Sequence, residues 1–560
     1  MSIAPRATRR KRRPGLVWPL LFIALISIGV ALAVPSFLYV EKPPASRPYL
    51  IFRGEKQEFP VVMERGEAYV PYSFIKTEID PEVFWDEETG TVVVTTKDKV
   101  VKLKTASLTA HVNQNPVDLM FPVVLDGGEP YIPASVLEIL YPLSASYYPG
   151  EGVFIVRPRD EVSLVGISVK DVIVRESPSI LSKRIGIAPA GTELSIHTVK
   201  GGWLRVDTDK GLVGWVPARD VDKAEWRKPS YTPPKDYTPK PLGARKVALV
   251  WEQVDKYNPD TSKIGDMPGL NVVSPTWFRL GEKPGEVENY ADFRYVAWAH
   301  ERGYQVWALF SNSFELERTR AVLRNSDLRD KVISQILMYA RLYSLDGINI
   351  DFENVYQDDA PYLTQFVREL TPLLHEAGLT VSIDITVKSM SPTWSLCYER
   401  DRLAEVVDYV MLMAYDEYWA GSPVAGPTAS LPWTEWCVKK TLEEVPAEKL
   451  VLGVPFYTRL WTEVKDGSGV KVSQTAYGMT SAEGWLKTQG VEARVDPRSG
   501  LRYAEKTVGD RTYKIWLEDA GSMAERMEIA EKYGLAGIAA WRRGLETPDI
   551  WDVIADYVKK

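Results

Sequence analysis

Short apolar segments alternate with longer amphipathic ones from about Lys246 to the end of the chain. Helical periodicity, as in residues 360–378, separates the apolar runs. This alternation predicts parallel strands joined by crossover helices. We therefore expect an α/β fold over residues 244–560, an eight-stranded (β/α)8 barrel of the TIM type. The eight predicted strands are KVALVW, GLNVVSPTWF, YQVWALFS, GINIDFE, LTVSIDIT, YVMLMAYD, LVLGVPFY and GIAAW.

One connection in this pattern is too long for an ordinary loop. It runs from about Trp461 to Asp519 and precedes the last predicted helix and strand. Loops of this length without internal structure are uncommon in compact domains. We expect a small α+β insertion there.

The chain before the barrel has the pattern of small β modules. Residues 48–160 carry short apolar runs between Gly, Asp and Pro turns, and GEAYVPYS from Gly66 recurs as GEPYIPAS from Gly128. Residues 162–226 also have strand patterns. Residues 227–243 are rich in Pro, which predicts a semi-rigid extended linker.

The N-terminus has the charge pattern of a membrane segment. Six basic and no acidic residues fall within the first 13 positions, and an uncharged stretch follows from Pro14 to Val40. We expect a basic cytoplasmic tail and a transmembrane signal anchor in residues 1–43, with the rest of the chain outside the cytoplasm. A signal peptide cleaved after Ala33 is the alternative, although apolar residues continue beyond that site.

Composition narrows the chemistry. The 560 residues include 68 Lys and Arg against 75 Asp and Glu, a net charge of −7, which disfavours binding to nucleic-acid phosphates. Cys397 and Cys437 allow one disulfide bridge but not a zinc site, and the four His are scattered along the chain. We expect no metal and no cofactor.

The fourth predicted barrel strand carries the strongest chemical signal. Alternate side chains of a strand point to opposite faces, so one face of LDGINIDFENV is apolar and the other polar. Asn349, Asp351 and Glu353 would project into the barrel, and Glu353 lies at the carboxyl end, where barrel enzymes place catalysis. The alternative is an acidic pair that forms salt bridges or caps a helix. Ile348, Ile350 and Phe352 would face the outer helices.

This strand resembles the signature of glycoside hydrolase family 18, the family of chitinases and related N-acetylglucosaminidases. The family signature is Asp-Gly-x-Asp-x-Asp-x-Glu, and residues 346–353 read DGINIDFE, with Asn349 where many chitinases have a carboxylate. MLMAYDEYW, GVPFY and GIAAW match further family motifs after the sixth, seventh and eighth strands. DEYWAGSPVAGPTASLPW and IWLEDAGS resemble the branch that acts on spore cortex and cell wall.

The resemblance implies a substrate-assisted retaining mechanism. Glu353 would protonate the glycosidic oxygen while the substrate's 2-acetamido carbonyl attacks the anomeric carbon. Asp351 would orient the acetamido N–H and stabilise its developing positive charge, and Tyr415 would hold the carbonyl. Repulsion between the two carboxylates should raise the pKa of the acid.

The same resemblance implies a set of substrate-binding residues. Asn349, Asp416 and Tyr457 would hold the sugar or position the catalytic carboxylate. Trp541 would form the apolar floor of the subsite, or plug the barrel, and Met413 would either contact sugar or pack. Three tryptophans in the predicted loop after the sixth strand would form either a sugar-binding rim or a loop core: Trp419, Trp433 and Trp436.

Two further resemblances concern the N-terminal modules. Residues 48–160 resemble the stalk module first named from copper amine oxidases, without a copper site, because His111 is the only His there. Residues 162–226 resemble a bacterial SH3-type domain, a family that often binds cell-wall peptides. Trp203 and Trp215 are candidates for that role or for the core of the small barrel.

These resemblances lead to one expectation and two alternatives. We expect a glycosidase that hydrolyses β-1,4 linkages of N-acetylglucosamine-containing polymers, with peptidoglycan or spore cortex preferred to chitin. The alternatives are a chitinase and a chitinase-like protein that binds glycans without cleaving them. The mode of cleavage, endo or exo, and the oligomeric state stay open.

Overall fold

The computed structural model describes residues 48–231, 237–240, 242, 246–466 and 469–559. The predicted cytoplasmic tail and transmembrane helix, residues 1–43, lie outside this range, as do parts of the predicted linker. Among the helices that the structure does describe, none is long and apolar enough to cross a membrane. The chain divides near Lys235 into two compact units.

The first module of the N-terminal unit is built around the sequence repeat. Its two copies pair as antiparallel strands, with Val70 opposite Ile132. The glutamate of each copy accepts the backbone N–H of the last residue of the other copy. Glu129 accepts from Ser73 and Glu67 accepts from Ser135, both at 2.8 Å. The two copies are therefore paired units, each a strand followed by a helical segment, and they share one hydrophobic core. The strands are Tyr49–Phe52, Glu55–Lys56, Val62–Glu64, Glu67–Pro71, Phe84–Asp86, Thr91–Thr95, Val100–Lys104, Thr109–Val112, Asn115–Asp118, Val124–Asp126, Glu129–Pro133, Leu143–Tyr148 and Val153–Pro158, and the helical segments are Tyr72–Phe74, Ile75–Ile79 and Ala134–Leu140.

The second module is a single antiparallel sheet that curls around a small core. Trp215 is buried, and the guanidinium of Arg205 lies 5.8 Å from its ring centroid, so this side chain packs within the module. Trp203 is half-buried at the start of its strand. The strands are Ser163–Ser168, Val172–Arg175, Arg184–Ala188, Glu193–Lys200, Trp203–Thr208, Val213–Pro217 and Val221–Arg227, with a 3-10 turn at Ala218–Asp220.

Within the described part of the C-terminal unit, eight parallel strands form a closed barrel. Pairing runs in chain order around the ring, and the eighth strand closes it between the seventh and the first. The predicted (β/α)8 barrel is therefore confirmed. Its strands are β1 (Val247–Glu252), β2 (Val272–Pro275), β3 (Gln305–Ser311), β4 (Gly347–Asp351), β5 (Thr380–Thr386), β6 (Tyr409–Met413), β7 (Leu450–Pro455) and β8 (Gly537–Trp541).

Helices surround the barrel, and a hairpin, Phe278–Leu280 with Val287–Asn289, follows β2. The outward face of β4 packs on the helix layer: Phe352, just after the strand, stacks on Phe366 at 5.6 Å between ring centroids. Short 3-10 turns occur at Thr261–Lys263 and Gln357–Asp359. The helices are α1 (Phe293–Glu301), α2 (Leu316–Leu323), α3 (Ser326–Leu342), α4 (Ala360–Glu376), α5 (Arg400–Val406), α6 (Leu431–Thr441), α7 (Ala520–Lys532) and α8 (Ile550–Lys559).

The long connection after β7 is an α+β insertion, as predicted, with a hydrophobic core of its own. It begins at Tyr457, four residues before the predicted start, because the chain leaves β7 directly into the first strand of an antiparallel sheet. The insertion consists of strands Tyr457–Asp466, Gly469–Gly478, Arg494–Val495, Arg502–Val508 and Arg511–Leu517 and helix Met479–Gln489.

Two expectations about this unit need correction or completion. Trp433 and Trp436 do not lie in a loop but in α6, which begins after Ser430, whose side chain accepts the N–H of Trp433. A serine cap followed by Pro in the first turn is a helix-start signal. Cys397 and Cys437 are both buried free thiols, so they form no bridge.

Candidate active site

Two adjacent barrel strands, β4 and β5, place polar side chains at the same end of the barrel. In the β4–β5 register Asn349 pairs with Ser382, and in the β5–β6 register Thr386 pairs with Met413. The inward positions of β4 and β5 are therefore polar toward their carboxyl ends. Below them, the barrel interior is filled by an apolar cluster that includes Trp307 and Met411.

Asn349 forms the floor of this polar region. It is fully buried, and its amide is oriented by four partners: Trp251 Nε1 donates to Oδ1 at 2.8 Å and Ser274 Oγ at 3.3 Å, while Nδ2 donates to Ser382 Oγ at 3.1 Å and to Asp384 Oδ1 at 2.7 Å. Both lone pairs of the amide oxygen and both hydrogens of the amide nitrogen are therefore used. Asn349 is thus placed to position other groups rather than to hold sugar.

Asp351 ends β4 with an unsatisfied carboxylate. Its Oδ1 is buried and meets no hydrogen-bond donor among the described residues. Burial raises the pKa of Asp351 to about 7, because the charged form loses its hydration. A donor brought by a ligand would therefore find an acceptor ready for it.

Glu353 follows the strand by two residues, and its backbone is clamped from β3. Asn312, which follows β3, accepts the Glu353 N–H at 3.1 Å and donates to its carbonyl at 2.7 Å. Burial, then the negative charges of Asp351 and Asp416, raise the pKa of Glu353 well above its usual range. The raised pKa favours the protonated side chain, which is the form that a general acid requires.

Asp384, on β5, is a third carboxyl of the site that the sequence analysis missed. It is buried, and its pKa lies well above the usual range because of burial and of the nearby Asp351 and Glu353. Its position gave a readable signal: in LTVSIDIT it alternates with apolar residues and lies near the carboxyl end of the strand.

Tyr415 follows β6 and Tyr457 follows β7, and both contribute to the site. Their rings meet edge to face at 6.3 Å between centroids. Burial and then the charge of Asp384 raise the pKa of Tyr415 well above its usual range, so its hydroxyl remains a donor. Tyr457 donates to Asp416 Oδ1 at 2.5 Å, and the same oxygen accepts from Arg459 Nη2 at 2.6 Å.

Arg459 is a second residue that the sequence analysis missed. It is nearly buried, and its Nε meets no acceptor among the described residues. Arg459 lies two residues after Tyr457 on one extended strand, so both side chains point to the same face. That spacing was visible in the sequence.

The remaining predicted aromatic and sulfur groups occupy different environments. Trp541 ends β8 and packs partly buried on the apolar barrel interior, with its ring centroid 6.1 Å from that of Trp251. Met413 is half-buried at the end of β6. Trp419 is 59 % exposed and its ring covers Gly421, where a Cβ would lie 2.3 Å from the ring.

A pair of exposed aromatic rings lies on the loops that flank β4, and the sequence analysis did not find it. Phe314 follows β3 and Trp394 follows β5; both are about half exposed, with ring centroids 6.0 Å apart. Ser313 and Phe314 have φ angles of 58° and 60°, in the left-handed region that few residues other than glycine adopt. Asn354, next to Glu353, donates to the Phe314 carbonyl at 3.0 Å. We name Phe314 and Trp394 the aromatic rim.

The arrangement supports acid–base chemistry on a glycan. In the described residues, no group of three or more His, Cys, Asp or Glu side chains is arranged to hold a metal ion. A protonated carboxyl, an unpartnered carboxylate oxygen and a tyrosine hydroxyl instead converge beside exposed aromatic rings. Aromatic faces stack on the apolar faces of sugars.

Three family models match the chain in the order of its modules. Residues 279–546 match Glycosyl hydrolases family 18, residues 51–147 match the copper amine oxidase N-terminal domain, and residues 170–222 match the bacterial SH3 domain. These matches confirm all three resemblances.

Relatives and solved structures agree with the family. The uncharacterized glycosylase YvbX of Bacillus subtilis (strain 168) is 25% identical over 299 residues, which cover 51% of this chain and 84% of YvbX. The cortical fragment-lytic enzyme of the same organism is 26% identical over 260 residues, 44% of this chain and 58% of that enzyme. The chain thus spans little more than half of that relative's length.

The crystal structure of the Bacillus megaterium QM B1551 spore cortex-lytic enzyme SleL has the same fold. It superposes with a TM-score of 0.50 at 22% identity, over 57% of this chain and 75% of SleL. The family match agrees with the clustered carboxyls at the carboxyl end of β4. Over residues 279–546 the C-terminal barrel is a glycoside hydrolase domain that matches family 18.

Proposed function

We propose that the protein hydrolyses β-1,4 glycosidic linkages of N-acetylglucosamine-containing polymers by substrate-assisted retaining catalysis. The observation that carries this proposal is the unpartnered, buried Oδ1 of Asp351 between a protonated Glu353 and the Tyr415 hydroxyl. An acetamido N–H is a donor of the kind that this oxygen lacks.

In the first step Glu353 gives its proton to the glycosidic oxygen as the bond to the anomeric carbon breaks. The acetamido carbonyl oxygen of the same sugar attacks that carbon and forms an oxazolinium ion. Asp351 accepts the acetamido N–H and stabilises the positive charge, and Tyr415 donates to the acetamido oxygen. In the second step the Glu353 carboxylate takes a proton from water while the water oxygen attacks the anomeric carbon. The bond from that carbon to the acetamido oxygen breaks, so the oxazolinium opens and Glu353 is again the acid.

Substrate binding is assigned to both sides of this centre. Trp541 forms the apolar floor, while Asp416, with Tyr457 and Arg459, provides a charged hydrogen-bonding edge. The aromatic rim on the β3 and β5 loops supports sugar units beyond the cleaved bond. Because this rim is exposed on the loops after β3 and β5 while Trp541 ends β8, we propose that the polymer extends across the site.

Peptidoglycan, including spore cortex, is proposed as the polymer. Support comes from the relative named cortical fragment-lytic enzyme and from the bacterial SH3 domain, a module whose family often binds cell-wall peptides. We further propose that residues 1–43 anchor the chain in the membrane with the barrel outside the cytoplasm. Sequencing the N-terminus of the mature protein tests the anchor, which a terminus at Val34 would contradict.

The test of substrate and activity compares the full chain with its Glu353→Gln variant. Each is incubated with purified cortex peptidoglycan and with chitin oligomers, and products are identified by mass spectrometry. We expect peptidoglycan cleavage by the wild type and none by the variant, with glycan binding retained in both. Cleavage of chitin alone would favour a chitinase, and binding without turnover in either protein would favour a lectin.

A further inference from the structure

Asp384 is the one member of the carboxyl cluster that the proposed mechanism does not use. It lies on β5, the strand beside β4, where Ile383 pairs with Ile350. By the next step of that register, Asp384 is the β5 neighbour of Asp351, and both side chains point into the barrel. Asp384 is only 1% exposed, so it is enclosed by protein rather than hydrated.

One oxygen of Asp384 has a fixed partner. Asn349 Nδ2 donates to Asp384 Oδ1 at 2.7 Å, and Trp251 holds the amide in that orientation by donating to its oxygen. The amide can donate to Asp384 but cannot carry a titrating proton. Position 349 therefore supplies geometry without a charge.

The groups that face Asp384 are acids. Asp351 and Glu353 project from β4, and the Tyr415 hydroxyl approaches from the end of β6. Within the described ranges, no Lys or Arg forms a hydrogen bond or ion pair with Asp384. Neighbouring buried carboxyls without a cation are not all ionised, because each charge opposes the next.

We propose that Asp384 is a positioning residue, which as the neutral acid donates a hydrogen bond to the unpartnered Oδ1 of Asp351 while Asn349 holds its other oxygen. This bond uses one lone pair of Oδ1 and leaves the other for the acetamido N–H, and it keeps Asp351 an oriented carboxylate before substrate arrives. When the acetamido N–H binds, Asp351 already points correctly. The raised pKa of Asp384 agrees with a retained proton. The role in turnover rests on the proposed function.

Two substitutions separate this role from a structural one. Asp384→Asn keeps both hydrogen bonds, because its amide N–H donates to Asp351 and its oxygen accepts from Asn349. We expect it to retain kcat within about threefold. Asp384→Ala removes the donor, so kcat should fall about tenfold to a hundredfold with little change in KM.

The pH profile is the readout that a merely structural role would not move. Without its donor the Asp351 carboxylate is less stable, so its pKa rises. The acid limb, the fall of kcat on the acidic side of the pH profile, should therefore move up by about one pH unit in Asp384→Ala. Asp384→Asn should leave that limb in place. Equal damage in both variants, or an unmoved limb in Asp384→Ala, would overturn the proposal.

A matched control and a substrate-free measurement complete the test. Asp359→Asn alters another fully buried aspartate, held by Arg320 and Arg324, and should lower stability without moving the acid limb. In the Glu353→Gln background at neutral pH, adding Asp384→Asn should remove the infrared C=O band of one protonated carboxyl. If that band is lost but the wild type cleaves no glycan, the proposed function fails and the proton assignment stands. An active wild type with an unchanged band overturns the assignment alone.

Discussion

Two groups of acids in the C-terminal unit lie in contrasting surroundings. In the helix layer, Asp359 accepts from Arg320 at 2.8 Å and from Arg324 at 2.6 Å. Glu369 and Arg329 form a pair at 3.0 Å with both side chains fully buried. Near the carboxyl ends of β4 and β5, which we call the barrel mouth, three acids form no hydrogen bond or ion pair with Arg or Lys among the described residues: Asp351, Glu353 and Asp384.

The difference separates structural from chemical use of the same residue types. An arginine beside a buried carboxylate favours the charged form and holds neighbouring helices together, and removing one partner leaves the other charge buried without it. A buried carboxyl without a cation holds a proton instead and can deliver it. The missing counter-charge therefore marks the reactive group more directly than the acidic residue itself does.

The largest effect is expected from removing the general acid at the barrel mouth. Glu353→Gln removes the transferable proton while preserving shape, so kcat should fall by about a thousandfold or more. Turnover of soluble peptidoglycan fragments, measured with binding in parallel, checks this. Retained turnover would move the acid role to another residue.

Breaking a helix-layer pair should damage stability rather than chemistry. Arg329→Met removes the guanidinium that donates to the buried Glu369 at 3.0 Å, at a cost of about 3–5 kcal/mol of unfolding free energy. Urea denaturation measures the loss, and the folded fraction should keep its kcat. The double variant Arg329→Met with Glu369→Leu is the control, since removing both charges should recover much of the stability. No recovery would show that the pair is not the source of the loss.

The stability of the protein should depend on pH because of the acids at the barrel mouth. Asp351 has a native pKa raised to about 7, so the native state holds a proton that the unfolded chain has lost. The stabilisation is complete below the ordinary aspartate pKa and disappears as pH rises through about 7. The melting temperature should fall between pH 5 and pH 8, and Asp351→Asn should flatten this slope. An equal slope in both proteins would contradict the assigned pKa.

The smallest effect is expected at the aromatic rim. Phe314→Ala and Trp394→Ala each remove one stacking surface, worth about 1 kcal/mol, so KM for long glycans should rise about fivefold. KM for a disaccharide substrate should not change, because that substrate does not reach the rim. Phe293→Ala, which removes an exposed aromatic ring of α1, is the matched control. A rise in KM for the disaccharide would place the rim at the cleaved bond.

Sequence pattern predicted the barrel, its insertion and the placement of Asp351 and Glu353, because strand periodicity decides which side chains face inward. The same rule applied to β5 would have found Asp384. The aromatic rim could not be found this way, since it depends on the left-handed backbone at Ser313 and on a contact between two loops distant in sequence. The partners of Asn349 likewise come from three other strands.

The stereochemistry of the first product tests the central claim most directly. Time-resolved proton NMR of the newly formed reducing end, recorded faster than mutarotation, reports the anomer released by the wild-type chain. Substrate-assisted catalysis through Asp351 and Glu353 predicts the β-anomer first, because two successive displacements retain configuration. Initial release of the α-anomer would contradict the account.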